Sequence, residues 1–97
     1  AVPSADGSDN EIVIGVGAEG NGNDTTTLGN AATEDTYIAG TIHADRPVLL
    51  KGYTVSTLPT ATTYTGGLIY VSNGTSNKRL AISDGTNWRF PDGNVVS

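Results

Sequence analysis

Leu68-Ile69-Tyr70-Val71-Ser72-Asn73-Gly74, then Arg79-Leu80-Ala81-Ile82-Ser83-Asp84-Gly85, then Asn87-Trp88-Arg89-Phe90 form three short apolar runs near the end of the chain, two of them closed by turn dipeptides. Runs of this length that are rich in β-branched and aromatic residues and end at Asn-Gly or Asp-Gly read as strands joined by tight turns. The expected structure is an antiparallel meander of strands 68–72, 79–83 and 87–90, stopped by Pro91-Asp92-Gly93. Working upstream, Val48 to Val55 reads as a further strand interrupted by Gly52, and Leu58-Pro59 with residues 60–65 reads as a loop.

The first half follows a different grammar. Ile12, Ile14 and Val16 alternate with Val13, Gly15 and Gly17, the period of an extended strand, and no helical stripe is present. An apolar or small residue followed by glycine recurs at Ile14-Gly15, Leu28-Gly29 and Ala39-Gly40, at intervals of 14 and 11 residues, which makes an irregular repeat. Between the first two copies lie Gly20-Asn21-Gly22-Asn23-Asp24, suited to corners, and Thr25-Thr26-Thr27, suited to extended backbone. Strand, corner, strand is the pattern of a β-roll or a trimeric β-helix, in which each turn is too thin to bury its own apolar face. A lone chain of this kind exposes Ile12, Ile14, Leu28, Tyr37, Ile38 and Ile42, and three chains about one axis hide them. The expected trimer core is Ile12, Ile14, Leu28, Ile38 and Ile42.

The expected organisation is therefore all-β, with a Gly/Asn-rich stem over residues 1–46, an intertwined homotrimeric β-helix or β-roll, and a small antiparallel β-meander head over 47–97. Composition points the same way. Of 97 residues only 36% are apolar or aromatic and 13 are glycine, so the core is small, and with no cysteine a disulfide framework is excluded. Oligomerisation is then the leading source of the missing burial. The absence of methionine, even at position 1, leads to the expectation that Ala1 follows an upstream cut in a longer protein. No apolar run reaches the length of a membrane span and no signal-peptide pattern is present, so membrane insertion is not expected.

Ten acidic and five basic residues give a net charge of −5, or −15 for three chains, and nucleic acid is an unexpected partner because phosphate binding needs concentrated basic surface. Aromatic faces stack on sugar rings, and Tyr64, Trp88 and Arg89 are the candidate glycan contacts. For Trp88, the sole tryptophan, burial in the core is the favoured alternative. His43, the sole histidine, becomes three imidazoles in a trimer, but a solvated or hydrogen-bonded side chain is the expected role and no metal is assigned. Asp6, Asp9, Glu11, Asn21, Asn23 and Asp24 suggest calcium, yet the match to the glycine-rich calcium nonapeptide is partial and turn formation explains these residues. No nucleophile-elbow sequence surrounds a serine, and Glu34-Asp35 and Asp45 sit in turn-like stretches, so neither catalytic residues nor a cofactor are expected. Asn23-Asp24-Thr25 and Asn73-Gly74-Thr75 fit the glycosylation sequon, as chance allows in a chain this rich in Asn and Thr.

Two stretches carry a resemblance. Ile12-Val13-Ile14-Gly15, Thr25-Thr26-Thr27-Leu28-Gly29-Asn30 and Thr36-Tyr37-Ile38-Ala39-Gly40 resemble the stem repeats of bacteriophage tail fibres and, more distantly, the head repeats of trimeric autotransporter adhesins. Tyr53-Thr54-Val55-Ser56-Thr57-Leu58-Pro59, Gly67-Leu68-Ile69-Tyr70-Val71 and Leu80-Ala81-Ile82-Ser83-Asp84-Gly85-Thr86-Asn87-Trp88-Arg89 are similar to a small β module near the C-termini of phage tail fibres and tailspikes. The resemblance implies a parallel homotrimer at the distal end of a virion fibre, acting in host attachment or trimer assembly. It implies a bacterial surface polysaccharide or lipopolysaccharide as receptor, and it supplies no catalytic residues. A pure trimerisation or capping module, and an accessory carbohydrate-binding module of an upstream enzyme, are the alternative functions.

Overall fold

A computed structural model describes residues 2, 3, 7 and 9–97 of the chain, which divides into two compact units, 1–43 and 44–97. Among the described residues the regular structure is strand and short 3₁₀ turn with no α-helix, an all-β chain. The strands are β1 (Ile12–Ile14) and β2 (Thr26–Leu28) in the first unit, and β3 (Gly52–Tyr53), β4 (Leu68–Val71), β5 (Leu80–Ser83) and β6 (Trp88–Arg89) in the second.

In the first unit β1 and β2 pair in parallel with Ile12 opposite Thr26, Val13 opposite Thr27 and Ile14 opposite Leu28, so the 14-residue interval is one full coil of the chain. The corner works because Gly15 and Gly29 both sit at positive φ, +130° and +84°, and stack directly: a Cβ on Gly15 would meet the Gly29 Cα at 3.2 Å. Equivalent residues one coil apart are tied by side chains. The Asn10 amide donates to Asp24 Oδ1 at 3.0 Å, the Asp9 N–H donates to Asn23 Oδ1 at 2.8 Å, and the Asn30 amide donates to the Val16 carbonyl at 2.8 Å. Val13 and Thr27 turn inward and are half-buried, Ala18 is buried, and Ile12, Ile14 and Leu28 face out. Val2 adds an isolated parallel bridge to Glu19.

Two expectations for this unit are corrected. The alternation through Val16 does not continue the strand, because Gly15 and Gly17 turn the chain and leave Val16 fully out in solvent. The third copy of the repeat, Thr36 to Gly40, forms no strand: with an interval of 11 rather than 14 residues it misses the register of the coil before it. Residues 31–49 are exposed without exception, and they carry Tyr37, Ile38, Ile42, Val48 and Leu49.

The second unit is a four-stranded sheet in the order β3-β4-β5-β6. β4, β5 and β6 are the antiparallel meander, with Leu68 opposite Ile82, Tyr70 opposite Leu80 and Ser83 opposite Trp88. β3 joins β4 in parallel, and the connection between them runs through 3₁₀ turns at Val55–Thr57 and Ala61–Tyr64. Ile69, Val71, Ala81, Trp88, Phe90 and Val96 are buried on one face together with Ala61, and Tyr53, Val55 and Leu58 pack against them. Each large aliphatic or phenyl side chain of this set contributes about 1.5–3 kcal/mol when it leaves water. The expected strand Val48 to Val55 shrinks to Gly52–Tyr53, since the preceding Val48-Leu49 pairs with no strand among the described residues and Leu49 is 92% exposed.

The Asn73-Gly74 turn also differs from its reading. Gly74 has a negative φ of −60°, and the left-handed residues of this loop are Ser76 and Asn77. Glycine is required for space instead: a Cβ there would lie 2.0 Å from the Lys78 carbonyl oxygen and 2.9 Å from the Phe90 ring. Asn73 serves the loop through its side chain, whose oxygen accepts the Val55 N–H at 2.8 Å.

Candidate functional site

Strand alternation decides where the three candidate glycan contacts go. Trp88 lies opposite Ser83 and Arg89 opposite Ile82, so neighbours on β6 face opposite sides of the sheet. Trp88 is 4% exposed, a core residue, and its indole N–H donates to the Pro59 carbonyl at 2.7 Å. This hydrogen bond joins the Leu-Pro loop to β6 and gives the buried indole the partner it needs. The reading of Trp88 as an exposed stacking platform is thereby corrected, for its ring faces are spent on the core. Tyr64, on the second 3₁₀ turn, is exposed.

Tyr64 and the rim of Trp88 nevertheless meet in one place. A cleft of about 180 Å³ is lined by Tyr53, Pro59, Tyr64, Gly67, Leu68, Ile69 and Trp88. Ser83, itself buried, ties the turn at Ala61–Tyr64 to β5: its hydroxyl donates to the Ala61 carbonyl at 2.6 Å and its carbonyl accepts the Gly66 N–H at 2.9 Å. Gly67 is needed beside it, because a Cβ would come within 2.8 Å of the Tyr64 carbonyl oxygen. With less volume than the roughly 300–1,000 Å³ of typical small-molecule pockets, this aromatic-walled cleft suits a single ring at most.

Arg89 stands apart from that cleft. Its Nε donates to Asp84 Oδ2 and its Nη1 donates to the Gly93 carbonyl at 2.9 Å. Asp84 Oδ1 meanwhile accepts the N–H groups of Asn87 at 2.7 Å and Thr86 at 2.8 Å. The Asn87 N–H first, then the Arg89 guanidinium and the Thr86 N–H, hold the Asp84 carboxyl down at about 2. Asp84 thus organises the Asp-Gly turn, and Arg89 is a structural member of it. Asp92 is shifted in the same direction, chiefly by its hydrogen bond with Lys78 and then by the Asn94 N–H.

A further concavity, about 620 Å³, is in the first unit and is lined among others by Asn21, Thr27, Gly29 and Asn30. Three of its polar side chains are already engaged: Asn21 donates to Thr27 Oγ1, and Asn30 both donates to Val16 and accepts from Ala32. The residues that suggested calcium do similar work, with Glu11 accepting the Gly22 N–H and Asn23 and Asp24 bridging to the preceding coil. Asp6 lies outside the described residues. Among the described residues no three His, Asp or Glu side chains converge as a metal site, and His43, Glu34, Asp35 and Asp45 are all exposed. No helix among them is long and apolar enough to cross a membrane.

Charge is distributed unevenly between the units. Residues 1–43 contain seven acidic and no basic residues, a net −7, whereas 44–97 contain five basic and three acidic residues, a net +2. All five basic residues lie on the second unit's side of the boundary. Ile12, Ile14, Leu28, Ile38 and Ile42, the expected trimer core, are all exposed on the single chain. Searches of protein-family models, of curated proteins and of solved structures gave no match to this chain.

Proposed function

We propose that this chain is a structural and host-attachment module of a phage tail fibre or tailspike, which forms a homotrimer and contributes to recognition of a bacterial surface glycan. The observation that carries the reading is the imbalance of apolar side chains. Among the described residues eight apolar side chains are buried, three of them alanine, while sixteen large apolar or aromatic ones are exposed. A compact monomer of this mass exposes about 5,200 Å², and two separate bodies of half that mass about 6,300 Å² together. This chain exposes 7236 Å². The surplus over the two-body figure, roughly 1,000 Å², is comparable to the share each partner buries in a standard interface.

Light scattering on the purified chain tests the assembly: the expected species is 3 × 9.9 kDa, about 30 kDa, and a monodisperse 9.9 kDa monomer at micromolar concentration removes the reading. A panel of bacterial polysaccharides tests recognition. The Tyr64 cleft is the expected contact, so Tyr64→Ala abolishes binding while leaving the trimer intact. A second reading, a trimerisation or capping module without a receptor, is favoured by the burial of Trp88 and the engagement of Arg89 in its own turn. Failure of the intact trimer to bind either host cells or the polysaccharide panel selects it.

A further inference from the structure

We infer that the outward face of the second unit's sheet is an interface between copies of this chain; the inference rests on the self-association proposed above and assigns it a surface outside the stem. An antiparallel sheet with one face in water normally alternates apolar inward and polar outward. β4 and β5 do not. Ile69, Val71 and Ala81 fill the buried face, and the outward positions are Leu68, Tyr70, Leu80 and Ile82, all exposed. They stand as two directly opposed cross-strand pairs, Leu68 with Ile82 and Tyr70 with Leu80. Gly52 occupies the same face beside Tyr70 and adds no side chain, which keeps the strip low at that edge. Beyond it, Val48 and Leu49 form a hollow of about 300 Å³ with Tyr70.

The occupant that fits is a second copy. Glycan recognition needs polar donors and acceptors at the centre of the contact, and this strip offers aliphatic carbon and one phenol. Its one charged member, Arg89 opposite Ile82, already has Asp84 as counter-ion and the Gly93 carbonyl as acceptor. Copies meeting here therefore bury no unpaired charge, which is the condition a stable apolar contact must satisfy. Ile12, Ile14 and Leu28 in the first unit form a separate uncovered apolar set, and copies of the same chain account for both with one partner.

The chain has no cysteine, so single-cysteine variants report accessibility without background. Ile82→Cys and the loop control Thr62→Cys are to be labelled with a maleimide in the full chain, alongside light scattering and the emission of the lone, buried Trp88 as a check on folding. Expected are a trimer in which Ile82→Cys reacts at least tenfold more slowly than Thr62→Cys, and loss of the trimer mass in Ile82→Lys with unchanged Trp88 emission. A trimer in which both thiols react equally fast overturns this interface and leaves the trimer standing. A dimer with protected Ile82→Cys keeps the interface and discards the trimer, and a monomer with fast labelling overturns both. If Ile82→Lys alters Trp88 emission, the labelling ratio alone decides.

Discussion

The two units of this chain hold their shape by different means. The first, residues 1–43, is a hydrogen-bonded coil: Ala18 is its only buried apolar side chain among the described residues, and Asn and Asp side chains stitch one turn to the next. The second, residues 44–97, is a packed sheet with Trp88, Phe90, Val71 and Ile69 at its centre. Net charge divides along the same line, −7 against +2. Apolar burial is the main favourable term in folding, whereas a typical hydrogen bond adds only about 0.5–1.5 kcal/mol net. The comparison teaches that the second unit carries an apolar core of its own, whereas the first rests mainly on its ladder of hydrogen bonds.

The largest test of that contrast is removal of the Phe90 ring. Phe90→Ala is expected to cost about 3–5 kcal/mol and to unfold the second unit, read by denaturant titration of Trp88 fluorescence; a loss under 1 kcal/mol contradicts a packing-held sheet. Gly74→Ala comes next, at about 1–3 kcal/mol, because the added methyl overlaps the Lys78 carbonyl and the Phe90 ring. The same titration measures it. In the first unit Asn30→Ala should cost about 1 kcal/mol and speed amide exchange at Ala32, which donates to the Asn30 side chain, while leaving Trp88 fluorescence unchanged.

Acid gives the smallest and most local effect. The Asp84 pKa is depressed in the folded chain, so its contribution is complete above the unfolded carboxylate value and is lost as pH falls through about 2. The window is therefore from about pH 4 down to about 2, and Asp92 acts in the same direction. Amide exchange at Asn87 should accelerate through that window and should not in Asp84→Asn, which retains a side-chain acceptor without the titration.

Much of the second unit was legible because its signals are local. The short apolar runs Leu68–Val71 and Leu80–Ser83 and the Asp84-Gly85 turn are properties of neighbouring residues, and Trp88 reads as core from residue type alone. What escaped depends on distant partners. The parallel pairing of β3 with β4 is set by the crossover between them, and Gly74 is required by Phe90, sixteen positions further along the chain. The opposite orientations of Trp88 and Arg89 follow from period-two alternation and could have been drawn from sequence. So could the doubly apolar sheet: Leu68-Ile69-Tyr70-Val71 is continuous, which is the signature of a strand covered on both sides. In the first unit, the match of Asp9-Asn10 to Asn23-Asp24 and of Ile14-Gly15 to Leu28-Gly29 marked one true period of 14 residues, obscured by the shorter interval that follows.

That period makes the coil a unit of length. Duplicating residues 15–28 would return the backbone to an equivalent position one strand spacing, about 4.8 Å, further on, with the Gly15 and Gly29 corner regenerated at the new join. A coil built this way grows or shrinks in discrete steps of one such interval, and insertions of any other size break the match between facing residues.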